Sequence, residues 1–219
     1  GNLHSFVDYR PLYRACLENL RRWLGDSSEP PASAYPRLSD GTAVSRDEAL
    51  ETLVTITPMV TPDAEVLPTI HPLYLGPQAS KGIGEYPADF DARVYATFVS
   101  AVDADGNEVA GVPMPDVAVP IATHSGFAPR HGDNGGTGQL LEYLGSSVPF
   151  ALDASAREAT GDPRASISER YADRDAYLCE VREAAKHLVE NRTLLPEDVE
   201  HCVGLAADRY DAVVAAQAL

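Results

Sequence analysis

The first apolar residues of the chain recur at the spacing of an α-helix. Within residues 8–24 they are Tyr9, Leu12, Tyr13, Cys16, Leu17, Leu20, Trp23 and Leu24. Residues spaced in this way lie on one side of a helix, as an apolar stripe about four turns long. Asp8 suits the N-cap, Pro11 the first turn and Gly25 the position just beyond the helix. The stripe is wide and aromatic, so it predicts a large apolar surface that packs against it.

The following part of the chain is dominated by proline. Residues 27–42 form a polar loop, and Ser45 with Glu48 has the pattern of a capping box at the start of a short helix. Six prolines between residues 58 and 87 then favour short extended pieces. Because many aliphatic residues lie among these prolines, we expect an ordered, wrapped connection and not a disordered one.

Residues 93–122 have the pattern of β-strands. Two runs rich in β-branched and aromatic residues flank the turn sequence "DADGN", and the second run continues into "DVAVPIATHSG". We therefore predict a small antiparallel β hairpin or meander with residues 103–107 at its tip. The glycine-rich stretch that follows lacks the spacing of a phosphate-binding loop and reads as a connector.

The last third of the chain is helical. Apolar residues keep helical spacing from Tyr177 to Val189, and Pro196 followed by two acidic residues marks the start of a final helix that runs to about residue 216. We predict that these helices form an antiparallel hairpin. The predicted fold is therefore mixed α+β, with a sheet-packing helix in residues 1–26, wrapped loops and the β meander in 27–150, and a helical region in 151–219.

The composition narrows the range of partners. The chain carries 17 basic and 33 acidic residues, and its net charge of -16 argues against binding to nucleic acid or to an anionic membrane surface. No apolar run is long enough to span a membrane, and no signal-peptide pattern is visible, which leaves the compartment open. The three cysteines lie in helical patterns without a CxxC pair, so we interpret them as buried structural thiols.

The chemical motifs of common hydrolases are absent from the sequence. No GxSxG elbow occurs, no HExxH motif occurs, and the pair His131 and Asp133 is a weak signal, so we predict no cofactor and no metal site. A small hydrolase that uses Ser125 with His124 or His131 is a weak alternative, because residues adjacent in sequence rarely face each other.

His4 is the candidate catalytic residue. In the α/β-hydrolase layout, a loop that carries the catalytic histidine precedes a helix that packs on the sheet, and His4 precedes such a helix here. Its imidazole would accept the proton of a serine and would be oriented by an acid. In that layout the serine and the acid come before the histidine in the chain. A catalytic role for His4 therefore implies that both belong to a preceding segment.

Four stretches carry a resemblance to a known family: "VDYRPLYRACLENLRRWLGDSSEPPASAYPRLSDGT", "AVDADGNEVAGVPMPDVAVPIATHSGF", "LGSSVPF" and "TGDPRASISERYADRDAYLCEVREAAKHLVENRTLLPEDVEHCV". Together they resemble the C-terminal portion of a bacterial α/β-hydrolase domain family. The resemblance implies an α/β fold and a serine hydrolase that cleaves small-molecule esters or related acyl bonds with an oxyanion hole. It also implies that the serine, the acid and a histidine in a "QHG"-like stretch lie in an upstream N-terminal hydrolase segment. That histidine competes with His4 for the catalytic role.

Two functions follow from these observations. In the first, the chain is the C-terminal part of a serine hydrolase and is inactive alone, and the helix with the apolar stripe is its marker. In the second, the chain is a free-standing acidic interaction module without catalysis. The second requires that the chain's own strands cover the stripe.

Overall fold

The computed structural model describes residues 2–90 and 93–217. The helices are α1 (Arg10–Asp26), α2 (Arg46–Leu53), α3 (Pro115–Ala118), α4 (Ala154–Thr160), α5 (Ile167–Arg170), α6 (Arg174–Glu190) and α7 (Val199–Gln217). The strands are β1 (Leu3–His4), β2 (Ala43–Ser45), β3 (Leu73–Tyr74), β4 (Asp89–Phe90), β5 (Phe98–Ser100), β6 (Ala122–Ser125) and β7 (Ser146–Pro149). Residues 1, 91, 92, 218 and 219 belong to the three predicted segments but lie outside the described residues.

The described strands form three small antiparallel sheets. The largest has the order β1–β7–β6, and the other two pair β2 with β5 and β3 with β4. The predicted hairpin pairing is present, since Val102 and Glu108 form an antiparallel bridge, but the additional strand of a meander is not, because β5 and β6 join different sheets. The predicted turn is present: the backbone N–H of Asp103 donates to the carbonyl of Asn107 at 2.8 Å.

Asn107 explains why the run after the turn does not pair with β6. Its amide side chain donates to the carbonyl of Ala122 and accepts from the backbone N–H of His124, at 3.2 and 2.8 Å. These two bonds occupy the free edge of β6 that a meander strand would use. A single side chain thus takes the place of a neighbouring strand.

The predicted C-terminal helical hairpin is confirmed. Arg182 pairs with Glu200, and Arg174 pairs with Asp211, so α6 and α7 run antiparallel. The helical spacing from Tyr177 to Val189 corresponds to α6, which begins where the side chain of Asp173 accepts a hydrogen bond from the N–H of Ala176. Within the described residues, no helix combines the length and apolarity needed to cross a membrane.

The buried apolar residues form three clusters. The first joins residues next to β6 and β7 to the helical region, and it contains Val119, Ile121, Phe150, Ile167, Tyr171, Tyr177, Val181, Val203, Ala206 and Val213. The second lies at the end of the hairpin near α1, and it contains Met114, Ala185, Leu188, Leu194 and Cys202. The third joins the end of α2 to β7 through Leu53, Ile56, Met59 and Val148.

Helix α1 packs on the hairpin with the side opposite most of its apolar stripe. Its buried residues are Pro11, Ala15 and Asn19, and the Asn19 amide donates to the carbonyl of Arg192 at 2.8 Å. Arg14 forms a bidentate pair with Asp198, at 3.0 and 2.6 Å. These polar contacts fix which side of the helix faces the body of the protein.

The apolar stripe of α1 is largely uncovered. Leu12 packs against the second cluster, but six large side chains of the stripe are exposed: Tyr9, Tyr13, Leu17, Leu20, Trp23 and Leu24. We call these six residues the exposed apolar face. Leu17 retains 67% and Leu24 retains 79% of its accessible surface. The chain's own strands therefore leave this face open.

Two details of the cysteine and capping predictions are wrong. Cys16 and Cys179 are exposed, and only Cys202 is buried, because helical periodicity marks an apolar side without showing whether anything covers it. Gly25 lies inside α1, and the left-handed C-cap is Ser27, with φ of 58°. Ser45 is the N-cap of α2 as predicted, since its hydroxyl accepts from the N–H of Glu48.

Candidate functional site

A histidine and a serine face each other across β6 and β7. His124 is directly opposite Ser147 in the strand register. Opposite residues of an antiparallel pair project their side chains to the same face of the sheet. The imidazole Nδ1 of His124 lies 2.9 Å from the hydroxyl Oγ of Ser147.

The segment before α1 covers this pair. The ring of Phe6 meets the ring of His124 edge-on, with the centroids 5.0 Å apart. The backbone N–H of Phe6 also donates to Ser147 Oγ at 3.2 Å. Ser147 is completely buried, and His124 retains 7% of its accessible surface. The pair is therefore closed to solvent in this conformation.

The electrostatic surroundings keep His124 neutral. Burial lowers the pKa of His124 to about 4, and the nearby charge of Arg209 acts in the same direction. Arg209 is itself paired with Asp116 at 2.5 Å. Burial raises the pKa of Asp116, although Arg209 opposes that effect. The Nε2 atom of His124 is buried and has no hydrogen-bond partner among the described residues.

The distance between His124 and Ser147 is within the range of a nucleophile and its general base. Two other features do not suit catalysis. Ser147 lies within a regular strand and not on an exposed turn, and no carboxylate in the described part of the chain accepts a hydrogen bond from Nε2. In this conformation the pair joins two strands, and both side chains are buried.

An apolar cavity of about 660 Å³ lies beside the pair. Its walls come from the residues around β1, from β7 and from the end of α7, and they include Leu3, Phe6, Val148 and Val213. Such a volume is typical of a small-molecule site. Arg209 contributes the charged group at its edge, but Asp116 already neutralises that guanidinium.

His4 lies in β1, opposite Ser146 of β7, and it is exposed. Its imidazole makes no hydrogen bond or ion pair with any residue that the structure describes, so its catalytic role stays a prediction. Ser125 donates its hydroxyl to the carbonyl of Phe127 at 3.0 Å, and His131 lies beside Asp133 on the surface. Neither forms the nucleophile–base pair of the weak alternative.

Sequence reasoning missed the pairing of His124 with Ser147. Both lie in stretches with β character, "THSG" and "GSSVP", which was the available signal. Their contact depends on the strand register, and residues so far apart in sequence do not reveal it. For metals, the described residues hold no group of three or more histidine, cysteine or acidic side chains that could bind an ion.

Comparison with known proteins identifies one relationship. The model of a family described as "Alpha/beta hydrolase domain" matches residues 4–204, from β1 into the first part of α7. No similar protein is found among the curated proteins, and no solved structure is similar. The family match therefore carries the functional argument together with the geometry above.

Proposed function

Because this chain belongs to the alpha/beta hydrolase domain family, we propose that it serves the hydrolysis of a small-molecule ester or related acyl bond, with α1 packed on the central sheet of the hydrolase. In this proposal residues 1–26 supply the last sheet-packing helix, residues 27–150 supply wrapped loops, and residues 151–219 supply the helical region. The sheet belongs to an N-terminal hydrolase segment of the polypeptide.

The exposed apolar face of α1 carries the proposal. It presents six large apolar side chains on one side of a helix whose other side is fixed by polar contacts. Full burial of one such side chain stabilises a protein by about 1.5–3 kcal/mol, so covering six is worth on the order of 10 kcal/mol. Contiguous apolar surface of this kind marks an interface. In α/β folds, helices bury such a face against the central sheet.

The proposal divides the chemistry between two parts of the polypeptide. The hydrolase segment supplies the serine on its elbow, the acid and the backbone N–H groups of the oxyanion hole. The present chain braces the sheet and forms part of the wall around the substrate. His4 is the residue of this chain that we place nearest to the reaction, because it is exposed and lies shortly before α1.

The test compares the same substitutions in two proteins. In the complete gene product, Leu17→Glu combined with Leu24→Glu should lower the turnover of p-nitrophenyl butyrate at least tenfold, because charge on the exposed apolar face prevents packing. In the 219-residue chain alone, the same pair should leave the melting temperature unchanged, since both side chains already face solvent. The chain alone should not hydrolyse the ester.

The matched control is Val54→Glu combined with Val109→Glu, which places two charges at exposed apolar positions outside α1 and should leave turnover unchanged. Full turnover by the Leu17/Leu24 variant would contradict the packing of α1. Ester turnover by the chain alone that is lost in Ser147→Ala would contradict the division of the chemistry. A complete gene product without hydrolase activity would favour the non-catalytic interaction module.

A further inference from the structure

A second cavity, of about 400 Å³, lies between α2, β5 and the loop after β6. Its walls are mainly apolar and include Leu53, Leu67, Val99, Val102, Phe127 and Leu140. Two charged side chains, Arg46 and Glu108, also line it. An apolar pocket with few polar groups is the usual form of a small-molecule site.

Arg46 is the unusual feature of this cavity. Its Nε and Nη1 atoms are shielded from solvent, and neither donates a hydrogen bond to any residue in 2–90 or 93–217. Within the same ranges, the carboxylate within 4 Å is that of Asp47, which lies 3.6 Å from Nε and is itself largely exposed. Buried donors of a charged group cost free energy when they lack acceptors. Nε and Nη1 are therefore held without an acceptor at hydrogen-bond distance, while the side chain as a whole retains 23% of its accessible surface, through which a ligand can reach the guanidinium.

We infer that this cavity binds a monocarboxylate with an apolar body, whose carboxylate pairs with the guanidinium of Arg46. A carboxylate accepts two parallel N–H bonds from a guanidinium, which gives both strength and orientation. The leucine, valine and phenylalanine walls would cover the apolar body of the ligand. The occupant is therefore an amphipathic acid, such as a medium-chain fatty acid.

The carboxylate of Glu108 is the group of the cavity that would repel the carboxylate of this ligand. Desolvation raises the pKa of the Glu108 carboxyl, although the residue as a whole is exposed to solvent, which screens its charge. His124 also lines the cavity, and its Nε2 has no hydrogen-bond partner among the described residues, but its lowered pKa leaves the imidazole uncharged at neutral pH. Arg46 is thus the cation of the cavity in the described structure.

This inference goes beyond the proposed function. A carboxylic acid is the product that acyl hydrolysis releases, but binding in this cavity requires neither turnover nor the packing of α1. The two proposals can therefore fail separately. Acid binding by the 219-residue chain, together with a complete gene product that lacks hydrolase activity, would support this inference alone. An active complete gene product whose 219-residue chain does not bind the acid would support the proposed function alone.

The test is titration calorimetry of the 219-residue chain with octanoate, with octanamide as the neutral analogue and octylammonium as the cationic one. We expect octanoate to bind at one site at least tenfold more tightly than octanamide, and octylammonium not to bind. Arg46→Met should weaken octanoate at least tenfold, whereas Arg46→Lys should retain part of the affinity. Val99→Phe, which fills the cavity, should abolish binding.

Two controls separate the cavity from other apolar surfaces. Arg22→Met removes an exposed arginine on α1 and should leave octanoate binding unchanged. Leu17→Gln combined with Leu24→Gln, on the exposed apolar face, should also leave it unchanged. Equal affinity for octanoate and octanamide, full binding by Arg46→Met, or loss of binding in the Leu17/Leu24 variant would overturn the inference.

Discussion

Arg164 shows how much one residue can hold together in this protein. Its side chain is completely buried and forms a bidentate pair with Asp162, at 2.9 and 2.6 Å. The same guanidinium donates to the hydroxyl of Thr123 and to the carbonyl of Val148, both at 2.8 Å. It therefore joins β6, β7 and the loop before α5 through a network in which every partner is an acceptor.

The first residue-scale prediction concerns this network. Arg164→Met should lower the free energy of unfolding by about 3–5 kcal/mol, because it leaves the buried carboxylate of Asp162 without its cation. Urea unfolding followed by circular dichroism measures the change. The control is Arg174→Met, which breaks the exposed pair with Asp211 and should change stability little. Equal effects of the two substitutions would show that burial of the Arg164 network adds nothing to the free energy of unfolding.

The second residue-scale prediction follows from the pKa of His124. The unfolded imidazole has a pKa of 6.5 and the folded one about 4, so between these values only the unfolded chain takes up the proton. The contribution of His124 to the free energy of unfolding should be fully present above pH 6.5 and should decrease as the pH falls toward 4. The total loss is about 3 kcal/mol. The carboxyl of Asp8, whose pKa its hydrogen bond with Arg10 lowers to about 2, acts at lower pH.

Denaturant unfolding across this pH range tests the assignment to His124. The variant His124→Asn, which can keep a polar contact with Ser147, should show a flatter dependence of stability on pH than the parent, whatever its stability at pH 7. His187→Asn, at an exposed position of α6, should reproduce the parent profile. An unchanged slope in His124→Asn would exclude this histidine as the source.

At the scale of elements, periodicity was sufficient to predict α1 and the helical hairpin. Both contain apolar residues at helical spacing and clear start signals, and these depend only on neighbours along the chain. The strands were harder to place. β-character shows that a run is extended, but pairing depends on which edge is free, and Asn107 occupies the edge that the predicted meander required.

The candidate sites also differ in whether their signal is local in the sequence or depends on long-range contacts. His4 could be singled out because its signal is its position just before a helix. The pair of His124 and Ser147 depends on the register of β6 and β7, and the cavity at Arg46 depends on how α2 and β5 meet. Such long-range contacts leave no local pattern in the sequence, and no combination of spacing rules would have assembled them.

At the scale of the whole molecule, the buried clusters are unevenly distributed along the chain. Among the described residues from 60 to 97, none belongs to an apolar cluster, whereas the region from Met114 to Val213 supplies most members. Regions with few buried apolar contacts open at lower free energy than the core. The protein should therefore combine a stable helical part with a connection that opens more readily.

Limited chymotrypsin digestion tests this distribution. Cleavage should occur first after Tyr74 and Tyr143, which are 56% and 100% exposed, and only later after Tyr177, which is 1% exposed. Mass spectrometry of the early fragments identifies the sites. In a urea concentration that unfolds the chain, the three tyrosines should be cleaved at similar rates. Cleavage after Tyr177 as early as after Tyr74 in the native protein would contradict the uneven core.

The polar anchoring of α1 has a consequence for assembly. Arg14 and Asn19 hold the helix to the hairpin, and Asn2 exchanges two hydrogen bonds with the backbone of Val60 before the helix begins. The outward side of α1 is therefore rigid before anything docks on it. A preorganised surface loses little conformational entropy on association, so more of the free energy of contact remains as affinity. Under the proposed function, a hydrolase segment produced as a separate polypeptide should therefore associate with this chain in solution.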